Sequence, residues 1–162
     1  MPRTHQYDVH VAWTGNRGTG TSAYRAYSRD HVVTTEGRPA LLGSSEPTFR
    51  GDPTRWNPEL LLVASLAQCH MLWYLHLAST AGIVVVDYVD TAHGVMALDA
   101  DGFGRFESVT LRPTVTITTP ERTELAGRLH EDAAARCFIA RSVNFPVHHE
   151  PVIRLSEGAR TR

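Results

Sequence analysis

The sequence contains no lysine: all 16 basic residues are arginines, and they stand against 17 acidic residues. Without lysine the chain cannot form a Schiff base, contact phosphate through a P-loop lysine or activate a nucleophile with an ammonium group. The near-even charge balance also argues against the basic surface that nucleic acids and anionic membranes require. We therefore expect small-molecule or protein partners, and any catalytic cation must be arginine or histidine.

Cysteine is scarce as well, since Cys69 and Cys137 are the only two. Two thiols are too few for a four-cysteine zinc site, and in a reducing cytosol two isolated cysteines seldom form a structural disulfide. Residues 1–10 lack an apolar run after a basic start, so no signal peptide is predicted. We expect a cytoplasmic protein in which any bond between the cysteines is transient and redox-active.

Hydrophobic periodicity predicts an α+β fold in one domain covering residues 1–162, with 156–162 as a loose polar tail. The expected order is three strands, a long helix, further strands, a second helix and a last strand. Strands are predicted at 7–13, 21–27, 32–42, 83–90, 93–98, 106–118 and 147–155, and helices at 58–81 and 120–135. The spacing favours antiparallel sheets packed on the long central helix.

The central helix has clear start and stop signals. Asn57 is a favoured N-cap, Pro58 suits the first helical position, Glu59 complements the helix dipole, and Gly82 is a typical C-terminal stop. Its run from Leu60 to Ala78 is long enough to raise the question of a membrane span, but polar residues interrupt it on several faces, which indicates a buried helix and no membrane partner. One half-sheet covers only one face, so a homodimer with packed helices is expected.

Several motifs favour structural roles. The G-x-G-x-x-A pattern at 18–23 joins two predicted strands, whereas dinucleotide binding needs a helix N-terminus there. His148 and His149 alternate on a strand and are interpreted as a solvated pair. His70 and His76 fall on different helix faces and are interpreted as packing residues. No cofactor and no metal are predicted.

Three features occur together in one order: a turn from Trp13 to Thr21 that contains Arg17-Gly18-Thr19-Gly20, the segment Asn57-Pro58-Glu59 with Cys69 ten residues after the glutamate, and the late Cys137. In these features the chain resembles the OsmC/Ohr family of organic hydroperoxide reductases. The resemblance implies an OsmC-like fold and an intertwined homodimer with two sites at the interface.

The resemblance also implies chemistry. Cys69 would attack the hydroperoxide as a thiolate and become a sulfenic acid, and Cys137 would condense with it to a disulfide. Arg17 and Glu59 match the family's catalytic arginine and glutamate. A dithiol, especially a lipoylated protein, would reduce the disulfide, and no metal or flavin is implied. Phe138 follows Cys137 where family members commonly have proline, which weakens the resolving role of Cys137.

Physical reasoning supports these roles. A buried thiol needs a cation to become a thiolate, and a guanidinium can hold Glu59 with one edge while it donates to sulfur or peroxide oxygen. Apolar neighbours would favour bulky organic hydroperoxides over hydrogen peroxide. These predicted pocket residues are Leu62, Leu66, Leu72 and Trp73. Because about 15 Å of helix would separate Glu59 from Cys69, either the chain bends before the regular helix or another subunit supplies Arg17 and Glu59.

Two alternatives remain from the sequence. The chain could form a non-catalytic OsmC-like dimer that binds an apolar small molecule, or it could bind a metal through Cys69 and histidines. Loss of thiols on treatment with peroxide distinguishes the enzyme from the binder, and a tightly retained metal with chelator-sensitive folding would support the metal protein.

Overall fold

The computed structural model describes residues 3–157, so most of the predicted tail lies outside the described residues. The chain divides into two compact units, one ending at Leu61 and the other beginning at Leu62. Ser156, which the prediction placed in the tail, still donates its N–H to the carbonyl oxygen of Ile117 at 3.0 Å.

The first unit contains a three-stranded antiparallel meander. Its strands are β1 (His10–Trp13), β2 (His31–Thr34) and β3 (Leu41–Gly43). The meander was predicted, but its boundaries were wrong. The expected strand at 32–42 is a hairpin, β2 and β3, because Gly37 at φ 71° turns the chain back.

The segment 21–27, predicted as a strand, forms turns. Arg29 holds it, with the guanidinium 4.3 Å from the ring centroid of Tyr24 and 4.2 Å from that of Tyr27. The same guanidinium donates to the carbonyl oxygens of both tyrosines. Stacking and charge-assisted hydrogen bonds to one arginine therefore override the β propensity of these residues.

The long helix α1 (Pro58–Thr80) begins and ends as predicted to within one residue. Asn57 Oδ1 accepts the N–H of Leu60 at 2.7 Å, which satisfies a free donor of the first turn. At the other end, Gly82 has φ 68° and the N–H of Ile83 returns to the carbonyl oxygen of Ala78.

One stripe of α1 is fully buried. It consists of residues four apart on one side of the helix, namely Leu66, His70, Tyr74 and Ala78. By length and composition alone α1 could cross a membrane, a property that core helices share. The prediction of a buried central helix is met only along this stripe within one chain, since most other positions of α1 stay partly or wholly exposed.

The second unit has two three-stranded sheets and the helix α2 (Thr123–Arg136). The strands are β4 (Val85–Asp90), β5 (His93–Leu98), β6 (Gly104–Leu111), β7 (Pro113–Ile117), β8 (Val147–His149) and β9 (Val152–Leu155). One sheet has the order β4-β7-β9 and the other β5-β6-β8. The predicted strands at 106–118 and 147–155 are thus each two strands, divided between the sheets.

The prediction of wholly antiparallel sheets was wrong for the last two strands. β8 pairs in parallel with β6, and β9 pairs in parallel with β7. The chain crosses from one sheet to the other between β6 and β7, and again between β8 and β9. Pro113 and Pro151 lie at these crossings and have no backbone N–H to donate to a neighbouring strand. Arg112 and Glu150 join the two bends through an ion pair with Nε and Oε2 3.0 Å apart. Because α2 connects β7 to β8, the chain returns in the same direction and parallel pairing follows.

The core of the second unit lies between α1, α2 and the strands. The larger cluster of buried residues is formed by Tyr74, Ala78, Ile83, Val115, Ile117, Ala126, Leu129 and Ala133. A smaller cluster is formed by Leu66, Val109 and Leu111. This packing fixes α1 against α2 and so determines which side chains meet between the two helices.

Candidate active site

The two cysteines lie together in the second unit, both as free thiols. Cys69 is on α1 and is half-buried, whereas Cys137 follows the last residue of α2 and is 1% exposed. α2 ends because Cys137 adopts an extended backbone, with φ −64° and ψ 112°. The buried stripe of α1 packs on α2, so the end of α2 brings Cys137 beside Cys69.

The two thiols have different surroundings. Burial, and then the neighbouring Cys69 side chain, raise the pKa of Cys137 to about 11. The N–H of Ala140 donates to Cys137 Sγ at 3.4 Å and opposes that rise only in part. Cys137 is therefore a protonated thiol at neutral pH, and Cys69 is the more accessible sulfur of the pair.

Three histidines form a stacked cluster beside the cysteines. His70 Nε2 lies 2.9 Å from Nδ1 of His130, and both side chains are buried. The His149 ring lies against both, with centroid distances of 5.7 Å to His70 and 6.5 Å to His130. The ring of Tyr74 covers His130 at 4.0 Å. We call His70, His130 and His149 the histidine cluster.

Burial sets the charge of this cluster. Desolvation, with a contribution from His149, lowers the pKa of His70 to about 4. Desolvation, followed by His70 and His149, lowers the pKa of His130 to about 3. Both rings are neutral at pH 7, so one of them donates and the other accepts in their shared hydrogen bond. The interpretation of His70 as a packing residue agrees with its burial, whereas that of His149 as part of a solvated pair was wrong.

A cavity of about 160 Å³ is lined both by Cys137 and by two members of the histidine cluster, His70 and His149. Arg141 also lines it. Its remaining walls are Leu66, Leu111, Ala134, Ala140 and Val147. This cavity is mostly apolar, with a thiol, two imidazoles and one arginine as its polar lining groups.

A second, open depression of about 320 Å³ is lined by Leu72, Trp73, His76 and Phe138. Leu72 and Trp73 lie three and four positions after Cys69, on the adjoining helix surface, and Phe138 is next to Cys137. Trp73 makes edge contacts with Phe138 at 5.5 Å and with His76 at 5.8 Å. An apolar surface thus adjoins both cysteines.

The four predicted pocket residues do not line a single pocket. Leu72 and Trp73 line the open depression, and Leu66 is a fully buried core residue that lines the smaller cavity instead. Leu62 is half-buried on α1 and lines neither space. Sequence reasoning missed Phe138 and His76 as lining residues. The sequence marks Phe138 only as a departure from the proline that OsmC/Ohr family members commonly have after the second cysteine.

Arg17 and Glu59 belong to the first unit. Asn16 Oδ1 accepts the N–H groups of Gly18 and Gly20 at 2.9 and 3.0 Å, which shapes a tight turn with Arg17 exposed at its tip. Glu59 lies in the first turn of α1, and its Oε2 is buried without a hydrogen-bond partner. Within residues 3–157 of one chain, Arg17 and Glu59 do not form an ion pair.

The helix geometry decides one of the alternatives left open above. α1 is regular from Pro58, so Glu59 and Cys69 are on one continuous helix and about 15 Å apart along its axis. The alternative in which regular helix begins only after Glu59 was therefore wrong.

Among residues 3–157 there is no group of three histidine, cysteine or acidic side chains placed to hold a metal ion.

The family model described as OsmC-like protein matches residues 51–151, which include α1, both cysteines and the histidine cluster. The chain belongs to the OsmC-like protein family. No curated protein matches this chain in sequence.

Solved OsmC-like structures agree with this fold. An OsmC-like protein of unknown function from Vibrio cholerae is 28% identical, with a TM-score of 0.82, and the match covers 92% of this chain and all of that one. An organic hydroperoxide resistance protein from Elizabethkingia anophelis is 17% identical, with a TM-score of 0.64 and 95% and 100% coverage. One from Legionella pneumophila, described as OsmC and a predicted redox protein, is 18% identical, with a TM-score of 0.62 and 93% and 99% coverage.

Proposed function

We propose that this OsmC-like chain is a cytoplasmic thiol peroxidase that reduces organic hydroperoxides and so protects against oxidative stress. The observation that carries the proposal is the meeting of its only two cysteines, one accessible and one buried, beside an open apolar depression. Two structural neighbours described as organic hydroperoxide resistance proteins support the same chemistry.

Cys69 is the attacking sulfur in this proposal, because it is the more accessible thiol of the pair. Its thiolate attacks the terminal, hydrogen-bearing oxygen of the hydroperoxide, the O–O bond breaks, and the alkoxide takes a proton and leaves as the alcohol. Cys69 becomes a sulfenic acid. Cys137 then attacks the Cys69 sulfur, a disulfide forms, and the sulfenic oxygen leaves as water. A dithiol such as a lipoylated protein exchanges with the disulfide and restores both thiols.

Arg17 and Glu59 complete the site from a second subunit. Within one helix Glu59 cannot share a guanidinium with Cys69, so we propose that the partner subunit's Arg17 stabilises the Cys69 thiolate and the leaving alkoxide, while the partner's Glu59 orients that arginine. Glu59 Oε2 is buried and has no hydrogen-bond partner in the single chain, which supports a donor supplied by another subunit.

The homodimer has further support in α1. Only one stripe of this apolar helix is fully buried, and Leu60 and Leu72 are 51% and 62% exposed. Helices from two chains that pack along these remaining faces would remove apolar surface from water. Such a dimer would hold two sites, and it would need no metal or flavin.

The substrate preference follows from the open depression. Its apolar walls, the side chains of Leu72, Trp73 and Phe138, would bury an alkyl or aryl group of a hydroperoxide and gain nothing from hydrogen peroxide. We therefore expect organic hydroperoxides with bulky apolar groups to be the better substrates.

The test treats reduced protein with a slight excess of cumene hydroperoxide and follows free thiols and intact mass. The proposal predicts loss of both thiols with a mass lower by two hydrogen atoms, and no such product in Cys69→Ser or Cys137→Ser. Cys137→Ser should gain one oxygen atom on Cys69. Survival of both thiols in the unmodified protein would refute the peroxidase and favour the non-catalytic dimer that binds an apolar molecule.

A further inference from the structure

Formation of the disulfide requires Cys137 to lose a proton in a place where few groups can accept it. The thiol is 1% exposed, and burial with the neighbouring Cys69 raises its pKa to about 11. At neutral pH the fraction of thiolate is therefore very small, and only the thiolate attacks sulfur. A group that accepts this proton would speed disulfide formation.

One candidate lines the same cavity as Cys137. It is His149, whose Nδ1 is buried without a hydrogen-bond partner. The volume of about 160 Å³ exceeds what one water needs, and a thiol and an imidazole nitrogen are polar enough to hold one. A proton can then pass from Cys137 Sγ to His149 Nδ1 through a single water.

The other members of the histidine cluster are less suited. His70 Nε2 and His130 Nδ1 are paired with each other, and His130 does not line the cavity. Their pKa values, about 4 and 3, keep both rings neutral beside His149. The charged residue that lines the cavity is Arg141, whose guanidinium stays protonated and cannot accept a proton from Cys137.

The remaining titratable groups near His149 on its own strand point elsewhere. His148 is exposed, and Glu150 is paired with Arg112. From α1 the groups that face the cluster are His70 and Tyr74, from α2 the group is His130, and just after α2 it is Cys137. No carboxylate lines the cavity, so among its described lining residues the imidazoles are the bases.

We propose that His149 is the proton acceptor for Cys137 when Cys137 attacks the oxidised Cys69, an inference that rests on the proposed function. The Sγ–H bond of Cys137 breaks, its proton passes to His149, and the bond between the two sulfurs forms. The S–O bond of Cys69 breaks at the same time. The leaving hydroxide takes the proton from His149 and becomes water, so the histidine is regenerated and no external oxidant or reductant is consumed.

The test uses 5,5′-dithiobis(2-nitrobenzoate), which replaces peroxide as the activator of Cys69. Its first reaction releases one thionitrobenzoate and leaves the other on Cys69. Attack by Cys137 on that mixed disulfide releases the second and forms the same protein disulfide. The second release therefore reports loss of the Cys137 proton without any hydroperoxide, and in Cys137→Ser it should disappear.

His149→Gln should slow the second release by at least about tenfold at pH 7 and leave the first release unchanged. The difference should shrink as the pH approaches the pKa of Cys137, about 11, because hydroxide then removes the proton directly. His148→Gln, on the exposed neighbour, is the matched control and should behave as the unmodified protein. In His149→Ala, added imidazole should restore the second release.

A second release with the same rate and pH profile in His149→Gln as in the unmodified protein would overturn the inference, as would failure of imidazole to act on folded His149→Ala. These outcomes are separable from failure of the proposed function. If cumene hydroperoxide leaves the thiols intact while the second release depends on His149, the peroxidase fails and the role of His149 stands.

Discussion

His70 Nε2 and His130 Nδ1 share a buried hydrogen bond of 2.9 Å between the two helices of the second unit. Desolvation holds the pKa values of the two rings at about 4 and 3, below the ordinary value of 6.5. The folded protein therefore binds fewer protons than the unfolded chain as the pH falls below 6.5. Stability from these rings is complete above that pH and is lost progressively toward pH 4.

The first prediction compares this pH dependence in two proteins. Between pH 7 and pH 4.5 the unmodified protein should lose on the order of 5 kcal/mol more unfolding free energy than the double variant His70→Gln/His130→Gln, which keeps a hydrogen-bonding pair but does not titrate. Urea denaturation at each pH measures the difference. Burial raises the pKa of Asp90 and acts in the opposite direction, so the comparison between proteins is the decisive quantity. Equal losses in both proteins would contradict the buried, neutral pair.

The second prediction compares the contributions of two leucines of α1 to stability. Leu66→Ala should lower the unfolding free energy by about 2 to 5 kcal/mol, because Leu66 is 0% exposed and packs on Val109 and Leu111. Leu62→Ala is the matched control and should cost clearly less, since Leu62 is only half-buried. Chemical denaturation measures both. Similar losses for the two variants would show that Leu66 is not a core residue.

The third prediction concerns the open depression. Phe138→Ala should lower kcat/KM for cumene hydroperoxide by about tenfold and leave that for hydrogen peroxide almost unchanged, because only the bulky substrate loses an apolar contact. Phe103→Ala, at another exposed phenylalanine, is the matched control for general effects. An equal loss for both peroxides would place Phe138 outside substrate binding.

Much of the fold could be predicted from local signals. Asn57, Pro58 and Gly82 determine where α1 begins and ends because capping acts over a few residues. The parallel pairing of β8 and β9 could not be predicted in the same way, since it depends on where α2 returns the chain. The turns at 21–27 escaped prediction because they are held by Arg29, a residue beyond the segment itself.

The site shows the same division. The cysteines were found because they are rare, but no spacing rule reveals that His149 stacks on His70, which lies far away in the sequence and on another element. A signal for His130 was present, since it lies next to Leu129 and three residues before Ala133 on the apolar face of α2. A polar residue in such a position is buried only with a partner, and here His70 is that partner.

The fourth prediction tests whether Arg17 acts across the dimer. Arg17→Ala should slow oxidation of Cys69 by a hydroperoxide by about a hundredfold or more, because the thiolate and the leaving alkoxide lose their cation. The Arg17→Ala and Cys69→Ser variants are unfolded, mixed and refolded together. The mixed dimers that form should recover activity. There, the Cys69 of one subunit meets the intact Arg17 of the other. Mixtures as inactive as the separate variants would contradict a site shared between subunits.

The most direct test of the account counts the alcohol formed from cumene hydroperoxide by reduced protein without any added reductant. The account predicts one equivalent of alcohol per subunit from the unmodified protein and from Cys137→Ser, and none from Cys69→Ser, because the first step needs Cys69 alone. Equal alcohol formation by Cys69→Ser, or none by the unmodified protein, would contradict reduction of hydroperoxides at Cys69.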